Sequence, residues 1–191
     1  MPPSRWHVLP LFCRWKDAPG LIEITSATAA DQPAIETLLD DAFGSARRNR
    51  AAYRLREGAV PLTGLSCVAR DDTGIIGSLQ CWDIALCSGS DVRTPLLLLG
   101  PVAVAAGQRG AGVASGMMRR ALAAADAAGA PPILLIGDAA FYGRFGFAAG
   151  ATSGWIMPGP VDRVRLLLRG DATALPSVAR LEGKDGLRRA A

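Results

Sequence analysis

Thr94 to Val104 reads TPLLLLGPVAV, Arg109 to Ala114 reads RGAGVA, and Phe141 to Phe147 reads FYGRFGF. The order of these three stretches decides the fold. The first is a strand, and its Leu96–Leu99 run is apolar throughout, as suits a strand buried on both faces. The second is a loop of small residues that opens a helix from about Gly112 to Ala128. A strand at Ile133–Ile136 follows, and Tyr142 comes just after it. Strand, helix and strand in succession imply a crossover between parallel neighbours. A small-residue loop at a helix start offers backbone N–H groups to an anion. The stretch therefore points to a phosphorylated ligand, with Tyr142 placed to act on it.

Upstream, Leu21–Thr25 alternates as a first strand. Thr28 or Asp31 can cap a helix running to about Phe43, with Ile35, Leu38, Leu39 and Ala42 on one face. Pro33 falls in its first turn and Gly44 ends it. A shorter helix is expected from Arg48 to Arg56, stopping at Gly58. Leu65–Arg70 and Ile75–Leu86 read as an antiparallel hairpin about Asp71-Asp72-Thr73-Gly74, and a turn at Ser88–Asp91 leads into the Thr94 strand. Downstream, Ala151–Pro158 and Val161–Arg169 read as two closing strands around the Met157–Pro160 turn. The chain divides into an irregular lead-in (residues 1–20), one domain (21–170) and a polar C-terminal tail (171–191).

A chain of 191 residues, half of them apolar, fits one domain with a sizeable core. The formal charge of +4 is almost all arginine, since lysine occurs at Lys16 and Lys184 alone. Two short clusters stand out, Arg47, Arg48, Arg50 and Arg188, Arg189, and they read as solvated surface, with phosphate contacts to a ligand as the alternative. No basic stripe interleaves with aromatics, so no nucleic-acid partner is expected. Cys13, Cys67, Cys81 and Cys87 show no CxxC spacing, which predicts free thiols, no bound metal and no disulfide scaffold. No apolar run is long enough to span a bilayer, and the run after Arg5 is broken by Pro10 and Arg14. A cytoplasmic location without a membrane partner is therefore expected. His7, the only histidine, sits in the lead-in and is not a catalytic candidate.

Three kinds of phosphate loop compete for Arg109–Ala114. A triphosphate loop needs Gly-Lys followed by Ser or Thr, a tripeptide this chain lacks. A dinucleotide loop finds its first two glycines in Gly110 and Gly112, but Ser115 stands third and the strand ends too early, near Val104. Asp138 does fall roughly where a ribose-binding acid would sit, so a nicotinamide-dependent oxidoreductase stays open. The third kind matches throughout. Arg109-Gly110-Ala111-Gly112-Val113-Ala114 fits [Gln/Arg]-x-x-Gly-x-[Gly/Ala], and so resembles the acetyl-CoA pyrophosphate loop of the GNAT acetyltransferase superfamily. Leu99–Val104 is similar to that family's central strand, Ser115–Met118 to its helix start, and Phe141–Phe147 to its Tyr-x-x-x-Gly-Phe segment. Gly137-Asp138-Ala139-Ala140 and Met157–Asp162 are similar to one bacterial branch of the family.

The resemblance implies a fold and a chemistry. The fold would be α/β (α+β), with a mixed sheet of about six to seven strands, an antiparallel first half, a splayed parallel pair and about four flanking helices. The activity would be transfer of an acetyl group from acetyl-CoA to a primary amine by direct attack in a ternary complex. By resemblance, Gly110, Ala111, Gly112, Val113, Ala114 and Ser115 hold the pyrophosphate and Arg109 adds a charge-assisted bond. Val102, Ala103 and Val104 pair with the pantetheine arm, and an N–H near Val102 faces the thioester oxygen. Pro101 cannot donate there and marks a bulge. Tyr142 matches the family's general acid; a packing role among Phe141, Phe145 and Phe147 competes with it. The central strand carries no acid, so Asp83 and Asp138 become candidate bases, with Glu23 behind them. Cys81 has no histidine to pair with as a nucleophile. The acid-free strand also leaves open a non-catalytic acyl-CoA-binding or sensing module. The acceptor, a small-molecule or peptide amine, would be chosen by Phe43–Gly64 and Ser88–Arg93, where Arg47, Arg48, Arg50 and Arg54 either favour an acidic partner or face water. A homodimer is common in the family.

Overall fold

The computed structural model describes residues 21–89 and 92–183. The expectations for His7, Cys13, Lys16, Lys184, Arg188 and Arg189, and for part of the Ser88–Asp91 turn, lie outside these residues. The strands are β1 (Glu23–Ser26), β2 (Cys67–Asp71), β3 (Gly74–Ser88), β4 (Val92–Val104), β5 (Ile133–Ile136), β6 (Gly154–Ile156), β7 (Leu166–Arg169) and β8 (Val178–Gly183). The helices are α1 (Gln32–Phe43), α2 (Ala51–Arg54), α3 (Val113–Ala127) and α4 (Ala139–Tyr142). Hydrogen bonding orders the sheet β1-β2-β3-β4-β5-β7, with β8 joined to β3 and β6. This is the mixed sheet expected, with more strands than the sequence pattern suggested. No described helix is long and apolar enough to cross a membrane.

The chain forms two compact units. The first takes in the residues up to Ser45, Leu62–Cys81 and Pro101–Ala130. Within it β1, β2 and the start of β3 form an antiparallel ladder, and the hairpin between β2 and β3 turns at Asp71–Gly74 as the turn residues predict. Thr73 donates to Asp71 Oδ1 from both its N–H and its hydroxyl, which closes that turn. The start of α1 is fixed by Asp31, whose Oδ2 accepts from the N–H (2.8 Å) and hydroxyl (2.9 Å) of Thr28. The other oxygen of Asp31 takes the Arg70 guanidinium at 2.5 Å, tying the helix entry to β2. Ile35, Leu38 and Leu39 then pack on Val68 and Ala103, as the period of the helix requires. Gly77 on β3 seats α3, because a side chain there would run into Val113 and Met117.

The second unit takes in Ala46–Pro61, Trp82–Gly100 and the residues from Pro131 on. Here β4 and β5 run parallel, β5 and β7 antiparallel, and β8 lies antiparallel to β3 and parallel to β6. Leu96, Leu98, Leu134, Leu166 and Leu168 pack with Trp155 and Leu181 in one core. The apolar run of β4 is buried along its whole length, Leu96 to Leu99.

Four expectations are corrected in this unit. The closing strands read at Ala151–Pro158 and Val161–Arg169 are shorter, Gly154–Ile156 and Leu166–Arg169, and they do not form a hairpin about Met157–Pro160: β6 pairs with β8 and β7 with β5. Pro158 and Pro160 supply no N–H for a hairpin ladder, and Asp162 caps a 3₁₀ turn at Arg163–Arg165 by accepting from the Val164 N–H. Residues 178–183, read as part of a polar tail, form β8, whose Ala179 and Leu181 turn inward while Arg180 faces water. The helix expected from Arg48 to Arg56 is broken into a 3₁₀ turn at Ser45–Asn49 and the short α2. Arg47, read as surface, is buried (1% exposed), and its guanidinium donates to the Tyr53 hydroxyl. Arg56 lies 3.6 Å over the Tyr53 ring and 5.2 Å from the Trp82 ring, an aromatic setting a charge pattern does not reveal.

Candidate active site

The first unit carries the glycine loop. After Val104 the chain makes a 3₁₀ turn at Ala106–Gln108, which separates the loop from the strand. A dinucleotide loop would follow its strand directly, so the geometry disfavours that reading. Gly110 has φ 85° and Gly112 has φ 78°, ψ 2°, a left-handed conformation that costs other residues about 1–2 kcal/mol. Gly112 is the N-cap of α3, and no side chain caps the helix. The intrahelical ladder begins with the Gly116 N–H donating to the Gly112 carbonyl at 2.9 Å. The N–H groups of Val113, Ala114 and Ser115 thus stand outside that ladder, at the positive end of the helix dipole. Arg109 is exposed at the loop entrance. Main chain, dipole and guanidinium together suit a diphosphate.

Val102 and Val104 are half-buried and Ala103 buried, and the Ala105 N–H donates to Ile76 at 2.8 Å, which anchors the strand end before the loop. The irregularity expected at Pro101 sits one residue earlier, where Gly100 adopts φ 128°. In the second unit, the Trp82 indole N–H donates to the Gly100 carbonyl at 2.8 Å. The parallel register pairs Leu97 with Ile133 and Leu98 with Leu134, then stops, although β5 continues to Ile136. The two strands therefore part at Leu99 and Leu135, as a splayed pair should.

The second unit also carries Tyr142, Asp138 and Asp83. Asp138 caps α4: its Oδ1 accepts from the Ala140 N–H at 3.0 Å and its carbonyl from the N–H groups of Phe141 and Tyr142. That cap fixes the last residue of α4, which is Tyr142. Phe141 meets the Tyr142 ring edge-on at 4.9 Å, and Phe147 at 6.2 Å. Packing and a chemical role are therefore compatible, since the neighbours hold the ring and leave the hydroxyl its chemistry. Burial pushes the Tyr142 phenol above its ordinary value of 10, with the Arg165 charge opposing and Asp138 adding to the rise. The phenol stays protonated at neutral pH and can donate. Asp83 is half-buried on β3, on the face opposite Trp82 and Ile84. Glu23, the weaker candidate, lies on β1.

Cys67 and Cys81 are buried. Burial pushes the Cys67 thiol up to about 12 against the pull of Arg120, and raises Cys81 further, with Cys67 adding to the effect. Neither is a thiolate at neutral pH, which removes a covalent thioester route through them. Sequence reasoning missed two contributors to this region. The first is Trp82, which holds the Gly100 carbonyl. The second is Gly137, which makes room for the Tyr142 ring; its only signal was a glycine between an apolar strand and an Asp cap.

Residues 23–150 match the acetyltransferase (GNAT) domain family. The chain belongs to that family and is an N-acetyltransferase. The Escherichia coli K12 protein named "Uncharacterized N-acetyltransferase YhbS" is 31% identical over 121 residues, which span 63% of this chain and 70% of that protein. The crystal structure of E. coli YhbS in complex with CoA superposes with TM-score 0.68 and 25% identity, covering 91% of this chain and 96% of that one. A GNAT family acetyltransferase from Brucella melitensis, in complex with acetyl-CoA, shares the fold at TM-score 0.54 and 24% identity, over 79% of this chain and 97% of that one. The nicotinamide reading of the loop is set aside.

Proposed function

We propose that this N-acetyltransferase takes its acetyl group from acetyl-CoA and delivers it to a primary amine of a small molecule or peptide, by direct attack in a ternary complex. The observation that carries the reading is the start of α3, uncapped by any side chain and entered through left-handed Gly112. The CoA and acetyl-CoA complexes of the two related structures support the choice of anion. Acetyl-CoA would supply an acyl thioester, whose carbonyl carbon forms the new C–N bond as its C–S bond breaks.

The chain's own residues then have separate tasks. Val113, Ala114 and Ser115 hold the diphosphate through main-chain N–H groups, with Arg109 beside them. Val102–Val104 offer strand edge to the pantetheine arm, and the Val102 N–H supports the thioester oxygen as it gains negative charge. Tyr142 gives its hydroxyl proton to the departing sulfur. The proton of the attacking amine passes to Asp83 or Asp138, directly or through water.

Calorimetric titration with acetyl-CoA and with CoA tests the binding step. Release of the CoA thiol across polyamines, aminoglycosides, amino acids and peptides tests transfer. Tyr142→Phe is expected to lower kcat by roughly 10²-fold while CoA affinity holds. Equal loss of both would make the tyrosine structural, and binding without turnover of any amine would favour a sensing role.

A further inference from the structure

Gly137 lies at the C-terminal end of β5, immediately before the Asp138 cap. Its φ is outside the left-handed range, so nothing in the backbone calls for glycine. The reason is spatial. A Cβ at this position would fall 2.5 Å from Tyr142 Cδ2, closer still to Cε2, and 3.1 Å from Leu135 Cδ1. The Tyr142 ring therefore rests directly on the Gly137 main chain.

Neither surface can yield easily. The Gly137 N–H donates to the Arg165 carbonyl at 2.9 Å, directly beyond the Ile136–Leu166 pair that ends the β5–β7 ladder. The ring is rigid, its backbone N–H donates to the Asp138 carbonyl at 2.9 Å, and Phe141 and Phe147 pack its flanks. We propose that Gly137 is a positioning residue for proton donation: its bare α-carbon is the surface that sets where the Tyr142 hydroxyl points. This inference rests on the reading of Tyr142 as the donor. A side chain here fits the strand backbone's own conformation, so the misfit falls on the ring, which must shift against its flanking contacts.

The test is Gly137→Ala, alone and combined with Tyr142→Ala or Tyr142→Phe. Thermal unfolding reads the contact. Gly137→Ala should lower Tm in the parent and not in Tyr142→Ala, where the ring is gone. If Gly137→Ala alone fails to fold, recovery of folding in the pair with Tyr142→Ala supports the contact, and continued failure overturns it. Phenolate absorbance on alkaline titration, in a Tyr53→Phe background that leaves one tyrosine, reads the ring's setting. The groups facing it are Arg165 and Asp138. Displacing the ring toward water should lower the Tyr142 titration toward that of a free phenol, a shift that loss of stability alone does not produce. An unchanged titration overturns the proposal.

Turnover is read as CoA-thiol release from acetyl-CoA, with the fastest amine of the panel or water as acceptor. Gly137→Ala should lower kcat by roughly ten- to a hundredfold, with KM for acetyl-CoA within about threefold, because misplacing a reacting group by about an ångström has costs of that order. In the Tyr142→Phe background the same change should add almost nothing. If Tyr142→Phe itself leaves kcat intact, the donor reading fails. If Tyr142→Phe lowers kcat and Gly137→Ala does not, the donor stands and the positioning role alone is overturned.

Discussion

Replacing Gly112 by glutamate tests the coenzyme reading at its weakest point. Gly112 has φ 78° and ψ 2° at the entry to α3. Any side chain there costs about 1–2 kcal/mol of left-handed strain, but the strain is present with and without ligand, so it lowers Tm and leaves affinity alone. A glutamate adds a negative charge where a diphosphate is proposed to sit. Two unit charges about 4 Å apart near a protein surface interact by about 4 kcal/mol, and an exposed, mobile carboxylate reduces that to about 2–3 kcal/mol. CoA should then bind roughly thirty- to two-hundredfold more weakly. Gly112→Gln carries nearly the same bulk and strain without the charge, so its affinity should fall less than about tenfold. Calorimetry with CoA at low and high salt measures both variants, and the gap between them should narrow as salt screens the repulsion. Thermal melting confirms that each is folded. A folded Gly112→Glu protein with parental affinity, or equal losses for Glu and Gln, refutes a diphosphate at this loop.

Two further expectations concern what holds the loop in place. Gly77→Val puts a branched side chain where even a Cβ would lie 3.0 Å from Met117 Cε, 3.1 Å from Val113 Cγ1 and 3.2 Å from Ala69 Cβ. Overpacking of this kind costs about 1–3 kcal/mol and should lift the first turn of α3, so Tm and CoA affinity should fall together; a parental Tm speaks against the packing. Asp31→Asn removes a carboxylate that accepts from Arg70 and twice from Thr28, and should cost about 1–2 kcal/mol in urea unfolding at neutral pH. Burial raises the Asp31 carboxyl, but the bonds from Arg70 and Thr28 outweigh it and leave the group below its ordinary 3.8. Its stabilisation is thus present above 3.8 and lost as pH falls through the lowered folded value, so the gap between parent and Asp31→Asn should close in acid. A gap that persists there would exclude the ionised carboxylate as its source.

The parts of the fold legible in the sequence are those written in local chemistry. Leu96–Leu99 is apolar at every position and is buried at every position. Ile133–Ile136 was bounded by prolines and a glycine and has those limits as β5. The Asp71–Gly74 turn follows from side-chain acceptors that bond their own backbone. The parts that escaped depend on partners distant in sequence. Strand β8 turns only Ala179 and Leu181 inward, too little apolar surface to stand out in a polar stretch, and its place is set by pairing with β3 and β6. Arg47 shares a cluster with Arg48 and Arg50, yet it alone is buried, because a 3₁₀ turn rather than a helix sets its direction. Gly137 was legible only as a glycine between an apolar strand and an Asp cap, and nothing local showed its requirement, which is the ring of Tyr142 and not its own φ.

The same division governs the proposed site. Recognition of the coenzyme falls to main-chain groups, and main chain advertises itself through glycines whose φ no other residue adopts at low cost: Gly110 and Gly112 are such positions. Proton donation is proposed for one side chain, legible as Tyr142, but the ring's setting depends on Gly137, Phe141 and Phe147 around it. Acceptor choice falls to side chains whose setting only the fold reveals. In the segment expected to make that choice, Arg56 is 8% exposed and lies between Tyr53 and Trp82, while Arg54 reaches the Pro158 carbonyl at 2.7 Å. Guanidiniums engaged in this way hold the segment's shape. Of the four arginines for which an acidic partner or plain solvent was expected, Arg47 is buried against the Tyr53 hydroxyl and Arg54 donates to the Pro158 carbonyl, so both serve the segment's own structure.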